Sequence, residues 1–214
     1  MSFYASEAPD LFLNFIKSRR SSKLLSKRDV DLSDIKTALS TAISAPSAHN
    51  SQPWRFIVIT DRSLMERLLD EMALEWRSDL QRDGYDETKI DKIVLSSRER
   101  TLRGSLWIIV CLTMAEMDRY PDEKRQRAEY VMAVQSIGSV IQNILLALHA
   151  LGYGACWRCG PLFAQGPVTR VLKIPEDVEP QGLIEVGGVG GIRAMRRKDL
   201  SEVCYLNAWG SKLC

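Results

Sequence analysis

The chain has 214 residues, 45% of them hydrophobic and 26% charged. That composition excludes a disordered protein and suits one domain, residues 1–214, or one subunit of a compact oligomer. The 29 Lys and Arg against 27 Asp and Glu leave a net charge of +2, so no basic field points to nucleic acid.

No apolar run approaches the roughly 20 residues that span a bilayer, and no membrane association is expected. Met1 to Asp10 lacks the basic and apolar regions of a secretory signal. Five scattered Cys fit reduced thiols in a cytoplasmic protein better than a disulfide framework. There is no internal repeat, low-complexity tract or Gly/Ser linker.

Leu11 to Lys17 reads as a short helix with an apolar face, running into Arg19-Arg20-Ser21-Ser22-Lys23. Leu32 to Ile43 is a helix, with Ile35, Ala38, Leu39, Ala42 and Ile43 at helical spacing. It ends before Pro46, because the residue preceding proline resists the α region. Trp54 to Thr60 is a buried strand by its β-branched and apolar content. Ser63 to Glu66 fits a capping box opening a helix striped by Leu64, Leu68, Met72, Trp76 and Leu80, and Asp83-Gly84 breaks it. Asp86 to Arg103 is a polar, partly exposed helix, and Leu106 to Leu112 is a second buried strand.

Pro121 opens the longest helix, Asp122 to Leu151. From Ile137 onward it is apolar nearly all round, so Gln142, Asn143 and His149 need partners. Gly152 and Gly154 stop it. Phe163 to Leu172 is a short helix, and Leu183 to Val186 is a third strand before the Gly-rich turn Gly187 to Gly191. Few strands and many helices predict an α+β fold, a small sheet flanked by helices around one long central helix.

Four segments can carry chemistry. Arg19 to Lys23 offers two guanidiniums, hydroxyls and an ammonium for a phosphate or a ring edge, or is a solvated basic loop. Ala45 to Trp54, bracketed by prolines, presents Ser47, His49, Asn50, Ser51 and Gln52 as hydrogen-bonding groups for a planar heterocycle, or merely caps a helix. Gly152 to Gly160 lets backbone pass close to a ligand. Its Cys156 and Cys159 do not make a zinc site, since no second ligand pair exists and His49 and His149 stand in unrelated contexts. A packing role suits these thiols. Arg193 to Lys198 is a phosphate clamp or a solvated tail. There is no G-x-G-x-x-G between strand and helix and no Walker A sequence. No metal site is expected.

In this order, Arg19-Arg20-Ser21, Pro46 to Trp54, Gln142-Asn143, Leu151 to Trp157 and the basic pair near Arg197 resemble the FMN-dependent nitroreductase superfamily over about residues 10 to 205. Glu75-Trp76-Arg77-Ser78-Asp79-Leu80, Asp83-Gly84, Tyr120-Pro121-Asp122, Ala128-Glu129, Cys156-Trp157, Phe163 and Val171 to Pro175 look like the C-terminal flavin domain of coenzyme F-420:γ-glutamate ligase. In that family the flavin domain reduces a dehydro precursor of the deazaflavin.

The resemblance implies a three-layer fold with a mostly antiparallel sheet, an intertwined homodimer, and two FMN sites at the subunit interface. It implies flavin contacts at Arg19, Arg20, Ser21, Lys23, Ser47, His49, Asn50, Gly154, Ala155, Cys156, Trp157, Arg196 and Arg197, with Ser47 reaching from the partner subunit. Asp79, with Trp76 beside it on one helix face, matches a substrate position. No particular catalytic acid or base is singled out, because solvent can supply the proton. The implied activity is an FMN oxidoreductase moving electron pairs from NAD(P)H or another reduced donor to a small conjugated acceptor, such as a deazaflavin precursor. A general nitro or quinone reductase and a non-catalytic flavin-binding module are the alternatives.

Overall fold

The computed structural model describes residues 9–191 and 195–213. Along the chain come α1 (Pro9–Ser18), β1 (Leu24–Ser26), α2 (Leu32–Ala42), a 3-10 turn at Ala48–Asn50, β2 (Trp54–Ile59), α3 (Arg62–Arg82), α4 (Glu87–Thr101) and β3 (Leu106–Thr113). Then follow α5 (Glu123–Ala150), β4 (Gly154–Arg158), α6 (Gly160–Phe163), α7 (Gln165–Leu172), β5 (Val178–Gly191) and α8 (Leu200–Val203).

The five strands form one antiparallel sheet in the order β1-β5-β3-β2, with β4 also on β5. β5 is the hub. Val178 to Val186 pair with β3, Leu183 to Gly187 with β4, and Gly188 and Gly191 with β1.

All eight residues of β3 are buried, because helices cover both faces. Ile108, Val110 and Ile184 pack under α2 and α5, with Ala38, Ile137, Ile141 and Ile144. Trp107, Ile109, Cys111 and Leu183 pack on the other face, with Met65 and Leu68 of α3 and Val168 of α7. Alternate residues of a strand point to opposite faces, so β3 feeds two cores and the fold is three-layered. By length and composition α5 could cross a membrane, contrary to the sequence expectation, but its apolar stripe lies against the sheet.

Several local expectations need correction. Asp61, not Ser63, caps α3: its carboxylate accepts from the Ser63 and Leu64 amides, while Glu66 pairs with Arg62 at 3.2 Å. The four-residue stripe of α3 does not face one core. Each step of four overshoots a turn by about 40°, so Leu68 joins the sheet core and Leu80 packs with Ile90 and Val94 of α4. The second half of α5 is not buried all round. Gln142 is exposed, Asn143 donates to the Ala42 carbonyl at 3.4 Å, and His149 Nε2 meets Ser18 Oγ at 2.8 Å. Ala164 divides the expected helix from Phe163 to Leu172 into α6 and α7.

The largest correction concerns the glycines after Leu183. They continue β5 to Gly191 instead of turning, and β1 and β4, unexpected from sequence, pair with that strand. A Cβ on Gly190 would lie 1.4 Å from the Leu24 carbonyl oxygen. Glycine is required there by close backbone approach, not by a turn. Gly190→Ala is therefore expected to cost about 3 kcal/mol or more. Thermal unfolding of the variant should show a midpoint lower by about 6–12 °C for a chain of this size.

Candidate functional site

Arg19 follows the last residue of α1 and is partly buried. Its guanidinium pKa is pushed down first by burial, then by the neighbouring Arg197 and Arg20. The basic clusters at the two ends of the chain thus converge in space. Neither Arg19 nor Arg197 has a carboxylate within 4.0 Å among the described residues.

The other predicted basic residues are used differently. Arg20 folds back onto the Lys17 and Arg19 carbonyls, capping α1. Arg196 turns to Glu202 at 3.7 Å. Arg193 lies outside the described residues. Ser21 is exposed. It is Ser22 that ties the segment to the sheet: its amide donates to the Ala155 carbonyl at 3.0 Å, and its Oγ accepts from the Gly190 amide at 3.2 Å.

A cavity of about 1400 Å³ opens beside this segment. Cys156, Trp157 and Arg158 of β4 and Leu183 of β5 line one side. Met72, Trp76, Asp79 and Arg98 from α3 and α4 line the other, with Lys23, Cys159 and Phe163 at its margin. Gly154 and Ala155 are buried behind it. A Cβ on Gly182 would lie 2.6 Å from Trp157 Nε1, so the bare glycine lets the indole lie across β5. Trp76 and Asp79 do share the cavity wall, as their spacing predicts.

Charge in the cavity is mostly paired. Asp91 meets Arg77, Asp79 meets Arg82, and Asp70 meets Arg98. Arg158 is held from behind. Its Nε donates to Glu185, which is 0% exposed, and its Nη2 is buried with no partner. Burial pushes the Glu185 carboxyl up to about 7, against the pull of Arg158. Cys156 is buried and its thiol is pushed up by that burial. Cys111, Cys156, Cys159 and Cys204 are all free thiols.

The loop from Ala45 to Trp54 lies elsewhere in the chain. His49, Asn50 and Gln52 all have positive φ, at 54°, 54° and 48°, a region costly for residues other than glycine. The loop is over-determined by its bonds. Ser47 Oγ accepts from the Gln52 amide at 3.1 Å, the Ala48 amide donates to Ser136 Oγ at 3.2 Å, and His49 Nε2 lies 3.4 Å from Glu129 Oε1. Ser47, His49 and Asn50 do not line the cavity, so one chain does not unite all the predicted site residues.

Sequence reasoning missed Glu185 and Arg98, covered Arg158 only as part of the segment Gly152 to Gly160, and gave Cys159 a packing role that its exposure does not fit. One signal was present: Glu185 interrupts the apolar run Leu183-Ile184-Glu185-Val186, and a buried charge demands a partner.

The antiparallel five-stranded sheet and the long α5 place the chain among nitroreductase-like folds. Residues 16–188 match the model of the Nitroreductase family. The chain belongs to that family, and as a class it is an oxidoreductase. A protein of Archaeoglobus fulgidus named "Putative NADH dehydrogenase/NAD(P)H nitroreductase" is 30% identical over 177 residues, 82% of this chain and 83% of its own. Two solved structures share the fold. A BluB-like flavoprotein from Clostridium difficile 630 has a TM-score of 0.72 at 22% identity, covering 91% of this chain and 98% of its own. Nitroreductase CinD from Lactococcus lactis, in complex with chloramphenicol, has a TM-score of 0.71 at 19% identity, covering 92% and 100%.

The Glu185 shift sets a pH dependence. Its folded pKa, about 7, lies above the ordinary 4.5, so the folded state holds this proton more tightly than the unfolded chain. The resulting stability is full below about pH 4.5 and is lost as pH rises through about 7. Glu185→Gln should flatten the fall in melting temperature across that window. An unchanged profile would show that Glu185 is ionised at the bottom of it.

Proposed function

We propose that the protein is an FMN-dependent reductase, built as a homodimer of one-domain subunits, that takes electron pairs from NAD(P)H or another reduced donor and gives them to a small conjugated acceptor. The observation that carries this reading is the convergence of Arg19 and Arg197 beside a cavity that starts at Lys23 and Cys156. Two neighbouring guanidiniums, with Arg19 pushed down in pKa first by burial and then by Arg197, call for an anion between them, and a dianionic phosphate suits that place.

The residues fit the cofactor in size as well as charge. Sites for drug-sized ligands run to about 300–1,000 Å³, and this cavity, at about 1400 Å³, has room for a ring system and a second molecule. Lys23 and the peptide groups of Gly154 to Trp157 would run along the ring edge, with Trp157 beside its face. Bound there, FMN would supply the hydride chemistry. Helices α3 and α4 would shield the site from bulk water, and Asp79 and Trp76 would meet the acceptor from α3.

The family and its relative named for NAD(P)H support a nicotinamide donor. The chloramphenicol complex of CinD supports a nitroaromatic acceptor. The likeness of Glu75 to Gly84 to the F-420:γ-glutamate ligase flavin domain supports a deazaflavin precursor. Four free thiols fit a reducing cytoplasm.

Two features support the dimer. α1 buries none of its residues within the chain, and Leu11, Phe12, Leu13 and Trp209 are exposed, Trp209 at 89%. The Ser47, His49 and Asn50 loop misses the cavity of its own chain, and a second copy would bring its loop to the ring edge. Sedimentation at micromolar concentration is expected to give twice 24.2 kDa. A monomer that binds FMN would remove the interface site.

The purified protein should be yellow and release FMN on denaturation. Arg197→Ala is expected to weaken FMN binding by about ten- to a hundredfold, the loss of one charge-assisted contact. Its folding stability should move by less than about 0.5 kcal/mol, as at an exposed site. Titration of the apo-protein with FMN measures the first and thermal unfolding the second. Unchanged affinity would take the phosphate away from Arg197.

A further inference from the structure

We propose that Arg158 is the specificity-determining residue of this cavity, and that it selects acceptors bearing a carboxylate or phosphate next to the conjugated system. The inference rests on the cavity being the acceptor site of the reading above. It names a substrate class for that site.

Four acids and five bases line the cavity. Asp70, Asp79 and Asp91 are each tied to a lining arginine, Arg98, Arg82 and Arg77 in turn. Those pairs are self-contained and draw little toward the interior. Arg158 is different. Its counter-charge, Glu185, is 0% exposed and belongs to the sheet, not to the cavity wall. A neutral or cationic acceptor therefore meets the guanidinium and not the carboxylate.

The guanidinium is also held still. Its Nε–H is bonded to Glu185, and its Nη2 is buried with no acceptor. The Arg158 side chain as a whole stays 23% exposed, so the open part of its guanidinium can donate to a ligand oxygen in the cavity. Guanidinium geometry matches carboxylate and phosphate oxygens, and Trp157, 40% exposed, also lines the cavity. A conjugated molecule that carries an anionic group suits such a lining. Full burial also raises the Glu185 carboxyl, which leaves less negative charge behind Arg158 near neutral pH.

The test compares 4-nitrobenzoate with 4-nitrobenzyl alcohol on the holo-protein. Calorimetry gives the two dissociation constants, and steady-state reduction gives the two values of kcat/KM. Removing Arg158 alone would leave Glu185 buried without its partner and could unfold the chain. The deciding variant is therefore the double one, Arg158→Met with Glu185→Gln, checked for folding by circular dichroism.

The wild type is expected to bind the acid about tenfold or more tighter than the alcohol, the worth of one charged hydrogen bond. In the double variant that ratio should fall to about one. No preference in the wild type, binding of neither probe, a preference that survives in the variant, or an equal weakening of both probes would each overturn the proposal. Should binding show the preference and its loss while neither probe is reduced, Arg158 stands as the anion selector and the reductase reading fails.

Discussion

The close packing of backbone around the glycine end of β5 is the constraint on which the rest depends. β1 runs so near Gly190 that any side chain there would strike the Leu24 carbonyl. Gly154 of β4 is also confined, its missing Cβ 2.7 Å from the Gly188 carbonyl oxygen. Because three backbones meet here, the segment leaving α1 is drawn against β4, and Ser22 bonds to both Ala155 and Gly190. That juncture sets Arg19 near Arg197 and Lys23 beside Cys156. The place of Lys23 at the edge of the cavity is thus a consequence of strand packing.

Electrostatics follow from the same geometry. β5 carries Glu185 into a place with no water, and β4 lays Arg158 over it. Such a pair is weak support for stability, since desolvation offsets most of its attraction. Its carboxyl is raised for that reason, and a well-packed apolar pair would hold the sheet as well. Its value lies in position: it fixes a guanidinium at the cavity wall. The cavity-lining arginines of α3 and α4, by contrast, are paired with acids on the same two helices, and such exposed pairs contribute about 0–1 kcal/mol each.

Two surfaces are left open by the single chain. α1 turns its apolar residues outward, and the loop from Ala45 to Trp54 is held rigidly by Ser136 and Glu129 of α5 although it reaches no cavity. A strained loop with three positive φ values is a cost that its surroundings must offset. The bonds to Ser136 and Glu129 make α5 the beam on which the loop rests.

Period and composition sufficed for the local elements. α2, β2, β3, α4 and α5 were legible because each buries one consistent pattern, and Gly84 and Gly152, both at positive φ, ended helices as glycine does. The residues from Arg19 to Lys23 and from Pro46 to Trp54 were legible as polar groups in positions where a plain loop needs fewer of them. What the sequence could not give were relations between distant segments. Gly187 to Gly191 reads as a turn because glycine is ambiguous between positive φ and close approach, and only the neighbouring strands decide between them. The divided stripe of Leu64 to Leu80 was likewise settled by which faces the neighbouring elements left open. Arg19 and Arg197 each read as a phosphate ligand or a solvated cation, and only the tertiary fold brings them near one another. Glu185 stood out in sequence as a charge in an apolar run, but its pairing with Arg158 of the cavity wall was decided by the antiparallel register that placed β4 on β5. Local pattern is written in the chain, since it depends on neighbours a few residues away. The site was decided by packing, since it depends on which backbones can touch.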